Sequence, residues 1–145
     1  MLQTTLCYLE RDGQYLMLHR IKKEQDINQG KWIGVGGKLE ARENPEQAIR
    51  REITEETGLT VRDLSYRGRI DFYNDICEPE TIHLYTSDSF TGELSDCNEG
   101  VLRWVPKEDI FSLNLWEGDR IFLRYLMEDH AFFHLELRYH GDELL

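Results

Sequence analysis

Residues 37–59 read GKLEARENPEQAIRREITEETGL, and this run constrains the chain more than any other. Asn44 is a strong helix N-cap, and Pro45 takes the first helical position, where its missing N–H does no harm. Gly58 stands where a helix closes in the left-handed conformation. The spacing predicts a helix over 45–57 that buries Ala48, Ile49 and Ile53 on one face. Glu52, Glu55 and Glu56 lie at i, i+3 and i+4 and are expected to share the opposite face. Like charges at that spacing cost roughly 0.2–0.5 kcal/mol per pair. A helix that needed only solubility would alternate signs there. Three carboxylates beside a glycine bend instead offer the oxygen ligands that a hard cation such as Mg2+ takes.

The rest of the composition narrows the class. A chain of 145 residues, 40% hydrophobic, fits one compact domain spanning 1–145. No apolar run reaches the length of a membrane-spanning helix, and the N-terminus lacks the pattern of a secretory signal. Cys7, Cys77 and Cys97 are odd in number and scattered, which predicts reduced thiols, a cytoplasmic location and no zinc site. The net charge of −11 repels nucleic-acid backbones and anionic lipid, so neither a nucleic-acid polymer nor a membrane is an expected partner. A free nucleotide can still bind if metal ions neutralise its phosphates.

Asp12-Gly13 between two apolar runs predicts a hairpin of Thr4–Arg11 with Tyr15–Arg20. Residues 21–30 read as a polar loop and 31–33 as a short strand. Further strands are expected at 60–64, 67–73, 82–90 and 101–105, with turns near Glu78-Pro79 and Thr91-Gly92. A helical turn is expected at 106–110. A second helix, 117–128, carries the apolar stripe Ile121, Phe122, Tyr125 and Leu126, and a closing strand follows at 131–139. This order predicts an α/β fold with a mixed sheet covered by two helices.

Gly37, Glu43, Arg51-Glu52-Ile53, Glu55-Glu56 and Gly58-Leu59 together resemble the Nudix box at every specified position. Nine defined positions over one loop and helix make a specific signal. The resemblance implies a Nudix-type α/β/α sandwich and metal-dependent hydrolysis of a nucleoside diphosphate linkage, with Mg2+ or Mn2+ as cofactor. It also implies that the Gly36 carbonyl joins Glu52, Glu55, Glu56 and a distant acid as metal ligands. Glu99, with Asp96 as the second choice, matches that acid, either completing the metal shell or acting as base. Arg51 resembles the family arginine that orients the carboxylates.

Lys31-Trp32-Ile33-Gly34-Val35-Gly36-Gly37-Lys38, Cys97-Asn98-Glu99-Gly100 and Trp116-Glu117-Gly118-Asp119 look closest to the MutT/MutX-like branch, which implies 8-oxo-dGTP hydrolysis to monophosphate and pyrophosphate. Arg20, Lys23 and Lys38 are candidates for the phosphates. Trp116 and Phe72 can stack on a base, and Asp119, near a helix start, can accept from a purine N–H. The Trp116–Asp119 stretch resembles the Trp-x-Asp-Asp segment by which oxidised-purine triphosphatases of the family read their base. Gly118 and Ile33 stand where those enzymes carry an aspartate and an asparagine. The alternatives are a Nudix hydrolase of another nucleoside diphosphate-linked substrate and a non-catalytic nucleotide-binding or sensing module on the same fold, the latter calling for a damaged box.

Overall fold

The computed structural model describes residues 1–22 and 26–145. Strands β1 (Leu2–Arg11) and β2 (Gln14–His19) form the expected hairpin. Asp12 and Gly13 both take positive φ, 53° and 73°, as a two-residue turn of matching twist requires. The two strands pair only at Glu10–Tyr15 and Arg11–Gln14. Beyond that point β2 peels away to pair with β6 (Val101–Pro106) along its whole length and with β3 (Trp32–Ile33) at its end. The vacated edge of β1 is taken by residues 35–39. Cys7 and Val35 exchange both backbone bonds at 2.7 and 3.0 Å, and the Thr5 N–H donates to the Gly37 carbonyl at 2.9 Å.

The other edge of β1 runs parallel to β5 (Cys77–Thr91), which pairs antiparallel with β4 (Thr60–Asn74). Next, β4 runs parallel to β7 (Phe133–His140), and β8 (Glu143–Leu144) closes that edge. Side chains alternate across this mixed sheet. Cys7, Leu9, Leu16 and Leu18 pack with Ile49 and Ile53 of helix α1 (Pro45–Thr57). Tyr8, Tyr15 and Met17 pack with Phe122 and Leu126 of helix α2 (Glu117–Met127) on the other face. The result is the α/β/α sandwich expected from the sequence.

Several boundaries differ from expectation. The strands expected at 60–64 and 67–73 are one strand, which absorbs register shifts between Val61 and Gly68 rather than breaking. The turn expected at Glu78-Pro79 lies earlier, between Asn74 and Cys77. Pro79, which has no N–H to donate, sits inside β5 where the ladder shifts register, just before pairing with β1 begins at Glu80. The helical turn after β6 is a 3-10 helix over Lys107–Ser112. On α2 the buried residues are Gly118, Phe122, Leu123 and Leu126, while Ile121 and Tyr125 are half-buried, so the inner stripe is rotated from the expected one. Among the described residues no helix is long and apolar enough to cross a membrane.

Residues 34–37 can take the β1 edge because three of them are glycines. A Cβ on Gly34 would lie 2.6 Å from the Cys7 carbonyl oxygen, and one on Gly36 would lie 2.0 Å from that of Thr5. Gly34→Ala is therefore expected to destabilise the fold by about 1–3 kcal/mol through overpacking. In urea unfolding the midpoint should fall with the slope unchanged.

Candidate active site

Helix α1 is fixed at both ends. The Asn44 side chain accepts from the Gln47 N–H at 2.8 Å, the Gln47 side chain accepts from the Asn44 N–H at 3.0 Å, and Gly58 closes the helix at φ 80°. So held, α1 sets its glutamates against the Gly36–Gly37 bend. They do not share one solvent face, as the spacing alone suggested. Glu56 is buried, 7% exposed, and its Oε2 accepts from the Gly36 N–H at 3.2 Å. Glu52 is half-buried beside Gly37, where a Cβ would come within 2.7 Å of the Glu52 carboxylate. Glu55 points outward. The three carboxylates thus fan from core to solvent.

Arg51 joins this fan to the loop before it. Its Nε and Nη2 grip the Glu43 carboxylate at 2.8 and 2.9 Å, and Nη2 also donates to the Lys38 carbonyl at 3.1 Å. Its Nη1 donates to Glu52 at 2.8 Å and to Glu55 at 3.1 Å. Glu43 in turn accepts from the Glu40 N–H at 2.8 Å, which holds the loop against Arg51. Arg51 thus hydrogen-bonds three carboxylates at once.

Glu99 enters from the loop before β6 and meets Glu56. Burial pushes the Glu56 carboxyl up to about 9, with the charges of Glu99 and Glu52 and a hydrogen bond with Glu99 adding to it. Arg20 Nη1 pairs with Glu99 at 3.2 Å while its Nε holds Asp26 at 2.7 Å. Lys22 Nζ donates to the Cys97 carbonyl at 2.7 Å, tying the same two loops again. Among the described residues no three acidic or His and Cys side chains are closed onto a single point as a metal cage. Glu52 rests on Arg51, Glu99 on Arg20 and Glu56 on Gly36. The donor set is nonetheless all oxygen and crowded with negative charge, and no described residue donates to the Gly36 carbonyl. These residues fit Mg2+ or Mn2+, whose charge would offset the burial and the neighbouring carboxylates that raise Glu56.

The carboxylates sit at one end of a cavity of about 770 Å3 that also reaches Arg20, Lys38, Phe72, Trp116 and Asp119. Lys23 lies outside the described residues. Lys38 is exposed at the rim; burial raises the nearby Glu80 carboxyl, and a Thr4 hydrogen bond and the Lys38 charge partly offset that. Phe72 and Trp116 are both core and cavity wall, edge to face at 6.0 Å. Trp116 begins α2 as its N-cap residue without a side-chain bond to the helix, and the Asp119 carboxyl makes no hydrogen bond to any described residue. Burial raises the Asp119 carboxyl to about 8, partly offset by Lys31.

Sequence reasoning missed two features here. A Cβ on Gly118 would meet the Tyr139 hydroxyl at 2.6 Å and Leu137 Cδ1 at 2.5 Å, and the Gly118 N–H donates to that hydroxyl at 2.6 Å. An aspartate at 118 would require Tyr139 and Leu137 to shift. Asn28 also lines the cavity, its Oδ1 accepting the Trp116 indole N–H at 2.8 Å. It belongs to a polar loop without periodicity, so no local pattern marks it.

The Arg51 clamp gives a pH dependence. Hydrogen bonding by Arg51, then by the Glu40 N–H, lowers the Glu43 carboxyl from 4.5 to about 2. The folded state thus binds this proton less readily than the unfolded chain. Its contribution is complete above about pH 4.5 and is lost as pH falls toward 2. The urea midpoint of the native chain should drop across that window, and Glu43→Gln should flatten that part of the curve and lower the midpoint at pH 7.

Comparison with known proteins agrees with this geometry. The NUDIX domain family model matches residues 2–126. The oxidized purine nucleoside triphosphate hydrolase of Danio rerio is 32% identical over 111 residues, covering 76% of this chain and 71% of the relative. An uncharacterized Nudix hydrolase of Bacillus subtilis, YvcI, is 28% identical over 137 residues, covering 91% of this chain and 83% of its own length. The crystal structure of a mutator MutT protein from Bacillus halodurans superposes with a TM-score of 0.89 at 24% identity, over 100% of this chain and 95% of that one, a likeness of fold. With the box complete, its helix capped and its glutamates set against the glycine bend, the chain belongs to the Nudix family and is a MutT-like Nudix hydrolase.

Proposed function

We propose that this protein, working as a single domain over residues 1–145, hydrolyses oxidised purine nucleoside triphosphates, 8-oxo-dGTP foremost, to the monophosphate and pyrophosphate. The observation that carries this reading is one cavity with two chemically distinct ends. Carboxylates and the Gly36–Gly37 bend form the first, and Phe72, Trp116 and Asp119 form the second. The name of the Danio rerio relative points to the same substrate class. Three free cysteines, two of them buried, suit a cytoplasmic enzyme that cleans the nucleotide pool in support of DNA repair.

Glu52, Glu56, Glu99 and the Gly36 carbonyl would hold the divalent cation, with Glu55 reaching it directly or through water. A bound cation supplies charge neutralisation on the phosphates and a more acidic water. Arg51 holds Glu52 and Glu55 in place and keeps the Lys38–Glu43 loop against α1. Glu99, hydrogen-bonded to Glu56, can take a proton from water as the substrate phosphate draws Arg20 away. Arg20 and Lys38 then face the phosphate tail, and Lys23 is a further candidate by its sequence position alone. Phe72 and Trp116 confine the base, and Asp119 supplies a polar contact to it.

Two measurements test this. Glu56→Gln should fold and yet lose roughly a hundredfold or more in turnover, on the scale of losing a preorganised electrostatic group. The rise in melting temperature that Mg2+ gives the native protein should vanish in the variant, and 18O from water should appear in the pyrophosphate. Full turnover by well-folded Glu56→Gln at saturating Mg2+ would remove the glutamate site. Asp119→Ala should lower kcat/KM on 8-oxo-dGTP about ten- to hundredfold and on dCTP much less, because a buried polar contact discriminates better than apolar shape. An equal drop on both nucleotides would place base reading elsewhere.

A further inference from the structure

The loop between β2 and β3 carries Asn28 to the base end of the cavity. Its backbone N–H is held by Asp26 Oδ1 at 3.1 Å, and its side-chain Oδ1 accepts the Trp116 indole N–H at 2.8 Å. An indole nitrogen only donates, so this bond dictates which end of the amide faces Trp116. The Asn28 NH2 group, with two donors, is left without a partner among the described residues. The other polar group facing the base is the Asp119 carboxyl, also without a hydrogen bond from any described residue. Phe72, Ile82, Phe122 and Leu137 supply only apolar wall between them.

We propose that Asn28 is the specificity-determining residue of this pocket, donating to the 6-oxo oxygen of a guanine-type base and turning the site toward 6-oxopurines and away from 6-aminopurines. The inference rests on the reading that the cavity takes a purine nucleotide. A guanine presents O6 as an acceptor where an adenine presents an amino donor. Two donors face to face leave both unpaired, and a site built to hydrogen-bond one group rejects the analogue without it. Asp119 cannot make this distinction. Burial, offset by Lys31 and aided by Glu80, raises its carboxyl to about 8, and a carboxyl that holds its proton can both donate and accept. Asn28 cannot invert its amide without giving up Trp116.

The test pairs a change in the protein with a change in the ligand. Asn28→Asp keeps an oxygen for the Trp116 N–H and the same size, and it removes both donors. The ligand change is the 8-oxo-2-aminopurine deoxynucleoside triphosphate, which lacks O6 and with it the N1 proton of 8-oxo-dGTP. Native protein should lose about ten- to hundredfold in kcat/KM on the O6-less analogue. Asn28→Asp should show most of that loss already on 8-oxo-dGTP and should lose far less than the native protein on passing to the analogue. On the 6-amino nucleotide 2-oxo-dATP it should be unimpaired. An equal fall on all three nucleotides would make Asn28 a brace for Trp116 and overturn the proposal. So would native protein that hydrolyses the analogue as fast as 8-oxo-dGTP, an arm that needs no variant to fold. Failure of the purine reading itself would look different: native protein would prefer pyrimidine triphosphates to every purine, and the role of Asn28 would fall with it.

Discussion

One guanidinium makes the acidic helix tenable. Arg51 is ion-paired with Glu40, Glu43, Glu52 and Glu55 and also holds the Lys38 carbonyl. Without it, carboxylates from the loop and from α1 would repel one another across the same small region. A planar group with five donors suits this task, since it reaches several acceptors at once in a fixed geometry. Arg51 sits on the helix but its main grip is on Glu43 in the preceding loop, so it makes the loop and the helix one unit. The Gly36–Gly37 bend, Glu52 and the carbonyl chain through Lys38 take their relative positions from that unit.

The cavity depends on a second constraint, the divergence of β2 from β1. A hairpin that stayed paired along its length would leave no edge for residues 35–39 and no bend beneath α1. Because β2 leaves after two residue pairs to join β3 and β6, β1 presents its freed edge to the glycine segment on one side and keeps β5 on the other. The cavity lies where the two parts of the sheet separate, between the helix of one face and the helix of the other. Open sheets tend to place ligands at such points of changed connectivity.

Local chemistry was legible in the sequence where a few neighbouring residues decide the outcome. Asn44-Pro45 and Gly58 gave the ends of α1, Asp12-Gly13 gave the hairpin, and the period-two pattern of Phe133, Leu137 and Tyr139 gave β7. The box likewise placed Glu52, Glu56 and the glycine bend together. What was hidden depends on partners distant in sequence. The spacing of Glu56 on a helical wheel says nothing of Glu99, whose loop covers it. The position of Pro79 reads as a turn until the ladders on both sides of β5 are known. Asn28 has meaning only once Trp116, 88 residues away, donates to it.

The close seat of α2 on β7 has a consequence for how this pocket can change over generations. Gly118 and Tyr139 occupy one volume between them: the backbone at 118 gives up its side chain, and the ring at 139 fills the room. An aspartate at 118 reached alone would push its first carbon against Leu137 and against a hydroxyl that the helix also needs as an acceptor. A smaller residue at 139 reached alone would leave a void and an unsatisfied N–H at the start of α2. The two positions therefore form a lock that opens only when both change, and each single step toward the aspartate form passes through a less stable protein.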